Sequence, residues 1–351
     1  MKIIMEQSRF FLTAECLVLV CLIIFTVQTE AGPQSGRSNA LYLGQQDALN
    51  FMVLADWGGQ PTWPFTTDCE VHVAKQMGML SSNFDTQFVL ALGDNFYYDG
   101  VKSVDDPRFN TTFEHVFTAD SLQVPWYVVA GNHDWHGNVT AQIEYTNFSK
   151  RWEFPDYYFM VRYQIPGTKD TIAFIMIDTV MLCGNTDDSE THKQPTKPLD
   201  VKLVESQLTW IEDQLKATMN DTYVIVAGHY PVWSIAEHGP TECLVQSLRP
   251  MLMKYNVSAY FCGHDHNLQH IKEDNSSIEY FVIGAAHVVD PSTDHMGDVP
   301  ASWIKFHYAD QTSLGGFAYL EATSGGMDFT FADGVAGKSL YHATIKPRSK
   351  H

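Results

Sequence analysis

The sequence has few basic residues and few cysteines. Its 351 residues contain 22 Lys and Arg against 41 Asp and Glu, which gives a formal net charge of −19 at pH 7. This excess of negative charge argues against nucleic acid or an anionic membrane as the main partner, because both repel an acidic surface. An anionic small substrate is still compatible with the composition, since a local cationic site can outweigh the overall sign.

Long apolar runs are also absent, apart from one near the N-terminus. This run, at residues 16–27, is a 12-residue apolar core that follows a weakly basic start. It is too short to span a bilayer comfortably but is typical of a signal peptide. We therefore predict a cleaved signal at residues 1–31, with an uncleaved anchor as the alternative, and a short lead-in at residues 32–47. After cleavage we expect no association with a membrane.

The four cysteines that follow this segment are consistent with a secreted protein. Cys69, Cys183, Cys243 and Cys262 could form disulfides in an oxidising compartment, where three complete pairings are open to them. Asn-x-Ser/Thr triplets, the acceptor signal for N-glycosylation, also recur in the chain. They begin at Asn110, Asn138, Asn147, Asn220, Asn256 and Asn275. We predict a glycoprotein of the secretory pathway, secreted or lysosomal.

Short apolar runs bounded by Gly, Pro, Asn and Asp indicate the fold class. Runs such as LNFMVLAD, TQFVLALGD and TYVIVAGHYP are typical of strands buried on both faces. Helical stretches lie between several of them, most clearly at residues 201–220, where apolar residues recur at intervals of three and four. Strand–helix alternation followed by a strand-rich C-terminal third predicts an α/β fold in which a core sheet packs on a second sheet.

Five of the predicted strands end in polar residues that can bind metal ions. In chain order these are Asp56; Asp94, Asn95, Tyr97 and Tyr98; Asn132, His133 and Asp134; His229; and His264 with His266. A further strand ends in Asp178 without a histidine beside it. Because ligands bind at the carboxyl ends of strands in α/β sheets, we expect these side chains to gather at one edge. In an extended segment, His264 and His266 would also point to the same side.

A cluster of this size exceeds the needs of a single metal ion. It suits two ions about 3.5–4 Å apart with one shared carboxylate, the arrangement used for phosphoester hydrolysis. The motifs D, GD-x-x-Y, GNHD, GH and GH-x-H, in this order, resemble those of the metallophosphoesterase superfamily. Tyr97, three residues after Asp94, is similar to the metal-binding tyrosine of its purple acid phosphatase branch. The resemblance covers residues 49–348.

This resemblance implies a fold and a metal centre. The fold would be a sandwich of two mixed sheets flanked by helices, in a single catalytic domain over residues 48–348, with the metals at the strand carboxyl ends. Fe(III) would be held by Asp56, Tyr97 and His266, and a divalent ion by Asn132, His229 and His264, with Asp94 bridging the two. The divalent ion would be Fe(II), with Zn or Mn as alternatives. Ligand chemistry agrees with this division, because the first set is anionic and hard and the second is neutral.

Hydrolysis of phosphomonoesters, as in an acid phosphatase, is the activity that the resemblance implies. Phosphoproteins or nucleotides would be the substrates, and a metal-bound hydroxide would be the nucleophile. His133, Glu237 and His238 would line the pocket as candidate acids for the leaving group. Two alternatives stay open. One is another metallophosphoesterase, such as a phosphodiesterase or a nucleotidase, and the other is an iron-binding or redox protein that generates radicals.

Two further expectations concern the polar stretch from Gly184 to Asp200. The resemblance points to a disulfide between Cys183, which precedes this stretch, and Cys243. The stretch itself has almost no apolar residue to anchor it, so we predict an exposed loop at the rim of the pocket. We expect the intact loop to hinder substrate entry and an activating protease to relieve the hindrance. We also expect the protein to be a monomer.

Overall fold

Two seven-stranded sheets lie face to face and form the core of the protein. The computed structural model describes residues 47–186 and 194–349. The predicted signal peptide, nearly all of the lead-in and the middle of the loop at residues 184–200 lie outside these ranges. Among the helices that the structure describes, none has both the length and the apolar character needed to cross a membrane.

The strands are numbered along the chain. They are β1 (Leu49–Leu54), β2 (Phe88–Leu92), β3 (Trp126–Val129), β4 (Trp152–Glu153), β5 (Phe159–Gln164), β6 (Thr171–Met176), β7 (Tyr223–Ala227), β8 (Ala259–Cys262), β9 (Leu268–Ile271), β10 (Glu279–Ile283), β11 (Ile304–Tyr308), β12 (Gly316–Ala322), β13 (Met327–Asp333) and β14 (Ser339–Ile345). The first sheet has the order β14-β13-β12-β1-β2-β3-β4, and the second has the order β11-β9-β10-β8-β7-β6-β5.

Each sheet combines parallel and antiparallel pairs. In the first sheet β1 to β4 run parallel, and in the second sheet β6, β7, β8 and β10 do so. The outer strands pair in the antiparallel direction. The predicted sandwich of two mixed sheets is therefore confirmed. The parallel strands carry their carboxyl ends to the same edge, which is where the candidate metal ligands follow.

Seven α-helices occur in the described residues. They are α1 (Asp68–Phe84), α2 (Asn132–His136), α3 (Val139–Tyr145), α4 (Thr179–Cys183), α5 (Val201–Ala217), α6 (Glu242–Ser247) and α7 (Arg249–Lys254). A π-helical turn at Phe109–Glu114 and 3-10 turns at Asp120–Leu122 and Ala301–Trp303 complete the helical segments. Thr67 caps α1, since its side chain accepts from the backbone N–H of Glu70 while the Glu70 carboxylate accepts from the N–H of Thr67.

Helix α5 packs on the outer face of the second sheet through Ile211 and Leu215, which are fully buried. It ends at Ala217, earlier than the predicted residue 220, because the chain turns at Thr218, whose hydroxyl bonds the Leu215 carbonyl. Val201, the first apolar residue of the helix predicted at residues 201–220, is 64% exposed. Only the C-terminal half of the apolar face therefore contributes fully buried side chains.

Aromatic rings from both sheets meet in the space between them. Phe51 of β1 lies edge-on to Phe174 of β6, with 5.2 Å between ring centroids. Phe281 of β10 stacks on Phe329 of β13 at 3.8 Å. Such buried rings supply much of the free energy that holds two sheets together.

Replacing Phe281 by Ala should destabilise this sandwich. The ring is fully buried, so its removal leaves a cavity and should lower the free energy of unfolding by about 3–5 kcal/mol. Denaturant titration measures this change. Phe148→Ala is the matched control, because Phe148 is 67% exposed and its loss should cost less than about 0.5 kcal/mol. An equally small effect at Phe281 would contradict its place in the core.

Candidate metal centre

The carboxyl ends of strands from both sheets meet at one edge of the sandwich. In the first sheet, Asp56 and Asp94 lie two residues beyond β1 and β2, and Asn132 begins α2 after β3. In the second sheet, His229 and His264 lie two residues beyond β7 and β8. Five strand ends thus bring polar side chains to a common site, and two groups can be distinguished within it.

The first group consists of Asp56, Tyr97 and His266. The Tyr97 hydroxyl donates to Asp56 Oδ1 over 3.1 Å and lies 2.9 Å from His266 Nε2. His266 Nε2 is 3.6 Å from the same carboxylate oxygen. Asp56 and Tyr97 are buried, so these three side chains converge on a point that is shielded from bulk water.

The second group consists of Asn132, His229 and His264, and Asp94 joins the two groups. His229 Nε2 lies 2.9 Å from Asn132 Oδ1 and 3.4 Å from Asp94 Oδ2. One ligand atom each from Asp94, His229 and His264 lies within 4.8 Å of the others, and the same holds for Asp56, Asp94 and His266. The shared carboxylate is the feature expected of a site for two ions.

The two histidines of GHDHN face different groups, although their backbone is not extended. The predicted extended segment is wrong, because His264 has a φ of 72° and the chain bends at residues 264–267. The bend lets the His264 N–H donate to Asp56 Oδ2 over 2.9 Å. Asp56 and Asp94 also have positive φ, at 54° and 51°. Such conformations cost about 1–3 kcal/mol each, so backbone strain is concentrated at this site.

The donor set fits bound cations. Asp56 is fully buried and Asp94 is 1% exposed. Their neighbours at hydrogen-bonding distance are imidazoles, the Tyr97 phenol and backbone N–H groups. Buried carboxylates are stable when a positive charge compensates them. Metal ions at the two groups would supply that charge, and oxygen and imidazole ligands suit iron, zinc and manganese.

The pKa shifts of Tyr97 and His264 are both consistent with a bound cation. Burial raises the pKa of Tyr97 well above its ordinary value, and the carboxylates of Asp56 and Asp94 raise it further. A phenolate at this position therefore needs a strongly charged cation beside it. Burial and then the neighbouring His238 and His229 lower the pKa of His264 well below its ordinary value, which keeps this imidazole neutral and able to bind a metal.

Close backbone approach at the strand ends requires glycine. A Cβ atom on Gly131 would lie 2.2 Å from Asp94 Oδ1, and one on Gly263 would lie 2.3 Å from Asp56 Oδ2. Neither distance is possible between non-bonded atoms. The glycines of GNHD and GHDH thus leave room for the two carboxylates.

Comparison with known proteins agrees with this geometry. The family model for calcineurin-like phosphoesterases matches residues 49–268. The chain belongs to this family. It is 50% identical over 308 residues to tartrate-resistant acid phosphatase type 5 of Oryctolagus cuniculus. The aligned residues cover 88% of this chain and 94% of that relative. It is 29% identical over 337 residues to purple acid phosphatase 7 of Arabidopsis thaliana, covering 95% and 97% of the two chains.

Among solved structures, Plasmodium GAP50, described as the anchor in the inner membrane complex, matches this phosphoesterase with a TM-score of 0.73. Their sequences are 23% identical, and the match covers 87% of this chain and 90% of the other. At this level of identity the likeness shows the fold alone.

Of the three side chains predicted to line the substrate pocket of this phosphoesterase, His133 and His238 lie beside candidate metal ligands. His133 Nδ1 is 2.8 Å from the Tyr98 carbonyl oxygen, and its Nε2 is 3.9 Å from Asp94 Oδ2. The His238 ring stacks on that of His264 with 4.0 Å between centroids. Glu237 adjoins it and is partly exposed. Burial raises the pKa of Glu237, and its hydrogen bond with Asp290 adds to this effect against the field of His238.

Several residues that support the ligands could not be identified as such from the sequence. Arg108 donates to the carbonyls of Tyr97 and Gly58, and thereby ties together the loops that follow β1 and β2. Asp134 accepts from the backbone N–H groups of Asn95 and Gly131. The position of Asp134 within the GNHD motif indicated a role at the site, whereas Arg108 lies in a stretch of sequence without any motif.

Asp178, predicted as a strand-end acid without a partner histidine, has a structural position. It caps α4 by accepting from the Met181 N–H at 2.8 Å, and it also accepts from the indole N–H of Trp135 at 2.9 Å. It therefore supports α2, and it does not belong to either ligand group within the described residues.

The structure contains a disulfide between Cys183 and Cys243, the pair that the resemblance implied, with 5.7 Å between their Cα atoms. Cys69 and Cys262 are buried and reduced. The bond ties the end of α4 to α6. On either side of residues 187–193, which lie outside the description, Asn185 donates to the carbonyl of Asn132 and Gln194 donates to that of Pro240.

The candidate glycosylation sites differ in exposure. Asn110, Asn138, Asn147, Asn220 and Asn275 are exposed, and Asn256 is partly buried. The Asn138 side chain also caps α3, since its Oδ1 accepts from the Ala141 N–H. Asn256 accepts from the Ser277 hydroxyl. The exposed asparagines that cap no helix are therefore the better acceptors.

Gly131→Ala should reduce metal binding by this phosphoesterase. The added methyl group would collide with the Asp94 carboxylate and displace the one side chain that both ligand groups share. Metal content per protein, measured by mass spectrometry after purification, should fall for both ions. Gly297→Ala is the control, because a Cβ there meets nothing within 4 Å among the described residues. Full metal content in Gly131→Ala would show that the site does not depend on this close approach.

Proposed function

We propose that this phosphoesterase is an acid phosphatase that hydrolyses phosphomonoesters at a centre of Fe(III) and a divalent ion. The observation that carries the proposal is the pair of ligand groups that share Asp94. Its relatives named tartrate-resistant acid phosphatase and purple acid phosphatase support the activity. We further propose a secreted or lysosomal glycoprotein whose catalytic domain spans residues 48–348, with phosphoproteins or nucleotides as substrates.

The ligands would divide between the two ions by charge. Asp56, Tyr97 and His266 would hold Fe(III), and Asn132, His229 and His264 would hold the divalent ion, for which Fe(II) is our first choice and Zn or Mn the alternatives. Asp94 would bridge. The contact of the Tyr97 hydroxyl with both Asp56 and His266 supports the first set. The contact between Asn132 and His229 supports the second.

Bound at these groups, the ions would act as Lewis acids that polarise the phosphoryl oxygens and activate a water molecule. The protein's own side chains would orient the substrate and supply a proton. His133 is held by the Tyr98 carbonyl through Nδ1, so its Nε2 is directed towards the Asp94 side of the centre. His238 is held over His264, at the side where the divalent ion would bind.

Glu237 is our candidate for the acid that protonates the leaving oxygen. Burial and the nearby Asp290 raise its pKa, so the carboxyl group keeps its proton to a higher pH than an exposed glutamate does. This favours turnover at acid pH. The raised pKa of Glu237 does not support the alternative of a redox protein, because a protein that only cycles iron between oxidation states has no need of an acid beside the centre.

We also propose that the loop at residues 184–200 covers part of the pocket until a protease cuts it. Its described ends support this, since Asn185 contacts the backbone of Asn132, and Gln194 contacts Pro240 and Glu242, in the segment that follows His238. The Cys183–Cys243 disulfide would keep the fragments together.

Tyr97→Phe should abolish the visible absorption of the purified protein while leaving it folded. The ring would still pack, but the oxygen that binds Fe(III) would be lost, and with it the phenolate-to-iron charge transfer. Absorption spectra, with far-UV circular dichroism as the check on folding, measure this. Tyr98→Phe is the control, because Tyr98 is the next residue and is 50% exposed; it should keep the colour. A Tyr97→Phe protein that stays purple would exclude Tyr97 as the ligand.

Glu237→Gln should slow hydrolysis of an alkyl phosphate more than that of an aryl phosphate. A poor leaving group needs the proton, and loss of a general acid costs about 10²–10⁴-fold. The active form is protonated, so the wild-type rate should fall as pH rises through the raised pKa, and the variant should lose this limb of the profile. Rates on β-glycerophosphate and p-nitrophenyl phosphate across pH test this, with Glu242→Gln as control. An unchanged ratio of the two rates would remove Glu237 from the reaction.

A further inference from the structure

The buried ring of His287 packs directly against the ring of Tyr97. The two ring centroids are 4.2 Å apart and the planes are inclined by 25°, which is a stacked arrangement. His287 is 4% exposed. The edge of a third ring, His133, approaches Tyr97 at 4.6 Å. The phenol is therefore confined by aromatic neighbours as well as by its hydrogen bonds.

The backbone of His287 is anchored to a rigid element. Its carbonyl oxygen accepts from the Thr67 hydroxyl at 2.9 Å. Thr67 is the N-cap of α1, a helix of 17 residues, and its hydroxyl also accepts from the Glu70 N–H. The start of α1 thus sets the position of His287, and His287 in turn contacts the side chain of Tyr97. The His266 ring lies edge-on at 5.8 Å and limits rotation of the imidazole.

One nitrogen of the buried His287 imidazole is left without a hydrogen bond among the residues that the structure describes. Within the described residues, His287 Nδ1 is buried and has no hydrogen-bond partner. Such an atom costs about 1–3 kcal/mol. Among the rings around His287 in the described residues, that of Tyr97 is nearest, at 4.2 Å between centroids, against 5.8 Å for His266 and 6.1 Å for Tyr98. The stacking contact with the Tyr97 phenol gives a physical reason for a histidine at this position despite the unpaired nitrogen.

We propose that His287 is a positioning residue for Tyr97, which it holds in one orientation and shields from water through the stacked ring. This inference rests on the proposed function, because it concerns Tyr97 as the ligand of Fe(III). The energy of a phenolate-to-iron charge-transfer band depends on the donor orbital of the phenolate. Water that hydrogen-bonds to the phenolate lowers that orbital and moves the band to shorter wavelength.

Variants at position 287 separate the stack from other roles. His287→Ala opens a void that water can enter, and His287→Asn keeps a planar polar group without a ring. Both should move the visible band of the purified, metal-loaded protein to shorter wavelength and lower its absorbance per bound iron. His287→Phe restores an aromatic face and should bring the band back towards the wild-type position.

The matched control is His270→Ala. His270 is also 4% exposed, and it stacks on Phe281 with 4.3 Å between centroids, at a position without a ring contact to Tyr97 in the described residues. Its loss should leave the band unchanged. An unshifted band in both His287→Ala and His287→Asn would overturn the inference, as would an equal shift in His270→Ala or in His287→Phe. A wild-type protein that binds iron but has no visible band would instead overturn the proposed role of Tyr97 itself.

Discussion

Two buried carboxylates, those of Asp56 and Asp94, set the main physical constraint on the site. Carboxylates removed from water need compensating positive charge, and their neighbours here are imidazoles, amide groups and a phenol. The same carboxylates, together with burial, raise the pKa of Tyr97 and oppose formation of its phenolate. Two cations would satisfy both requirements at once. The chemistry proposed for this acid phosphatase follows from that need for charge.

The sandwich makes such a concentration of ligands possible. Parallel strands in both sheets bring their carboxyl ends to one edge, and the aromatic core holds the two sheets against each other. The ligand loops are short and strained, with left-handed backbone at Asp56, Asp94 and His264. Arg108 links the loop of Asp56 to that of Tyr97. Stability in the core thus offsets strain at the site.

Much of this arrangement could be predicted from the sequence, because strand ends in a parallel sheet are local signals. The positions of Asp56, Asp94, Asn132, His229 and His264 follow from apolar runs and the residues just after them. Contacts between distant segments could not be predicted. His287 lies 190 residues after Tyr97 in the sequence, and no motif or periodicity marks it. The bend at His264 was missed because period-two reasoning assumes an extended chain, whereas a hydrogen bond to Asp56 favours the turn.

A crystal structure of the purified protein, with diffraction data collected on both sides of the iron absorption edge, tests the two-ion centre most directly. We expect two metal peaks about 3.5–4 Å apart, with the Asp94 carboxylate bound to both, and iron-specific scattering at the peak that contacts Tyr97 Oη. A single metal peak, or two peaks of which neither contacts Asp94, would contradict a two-ion centre at this site.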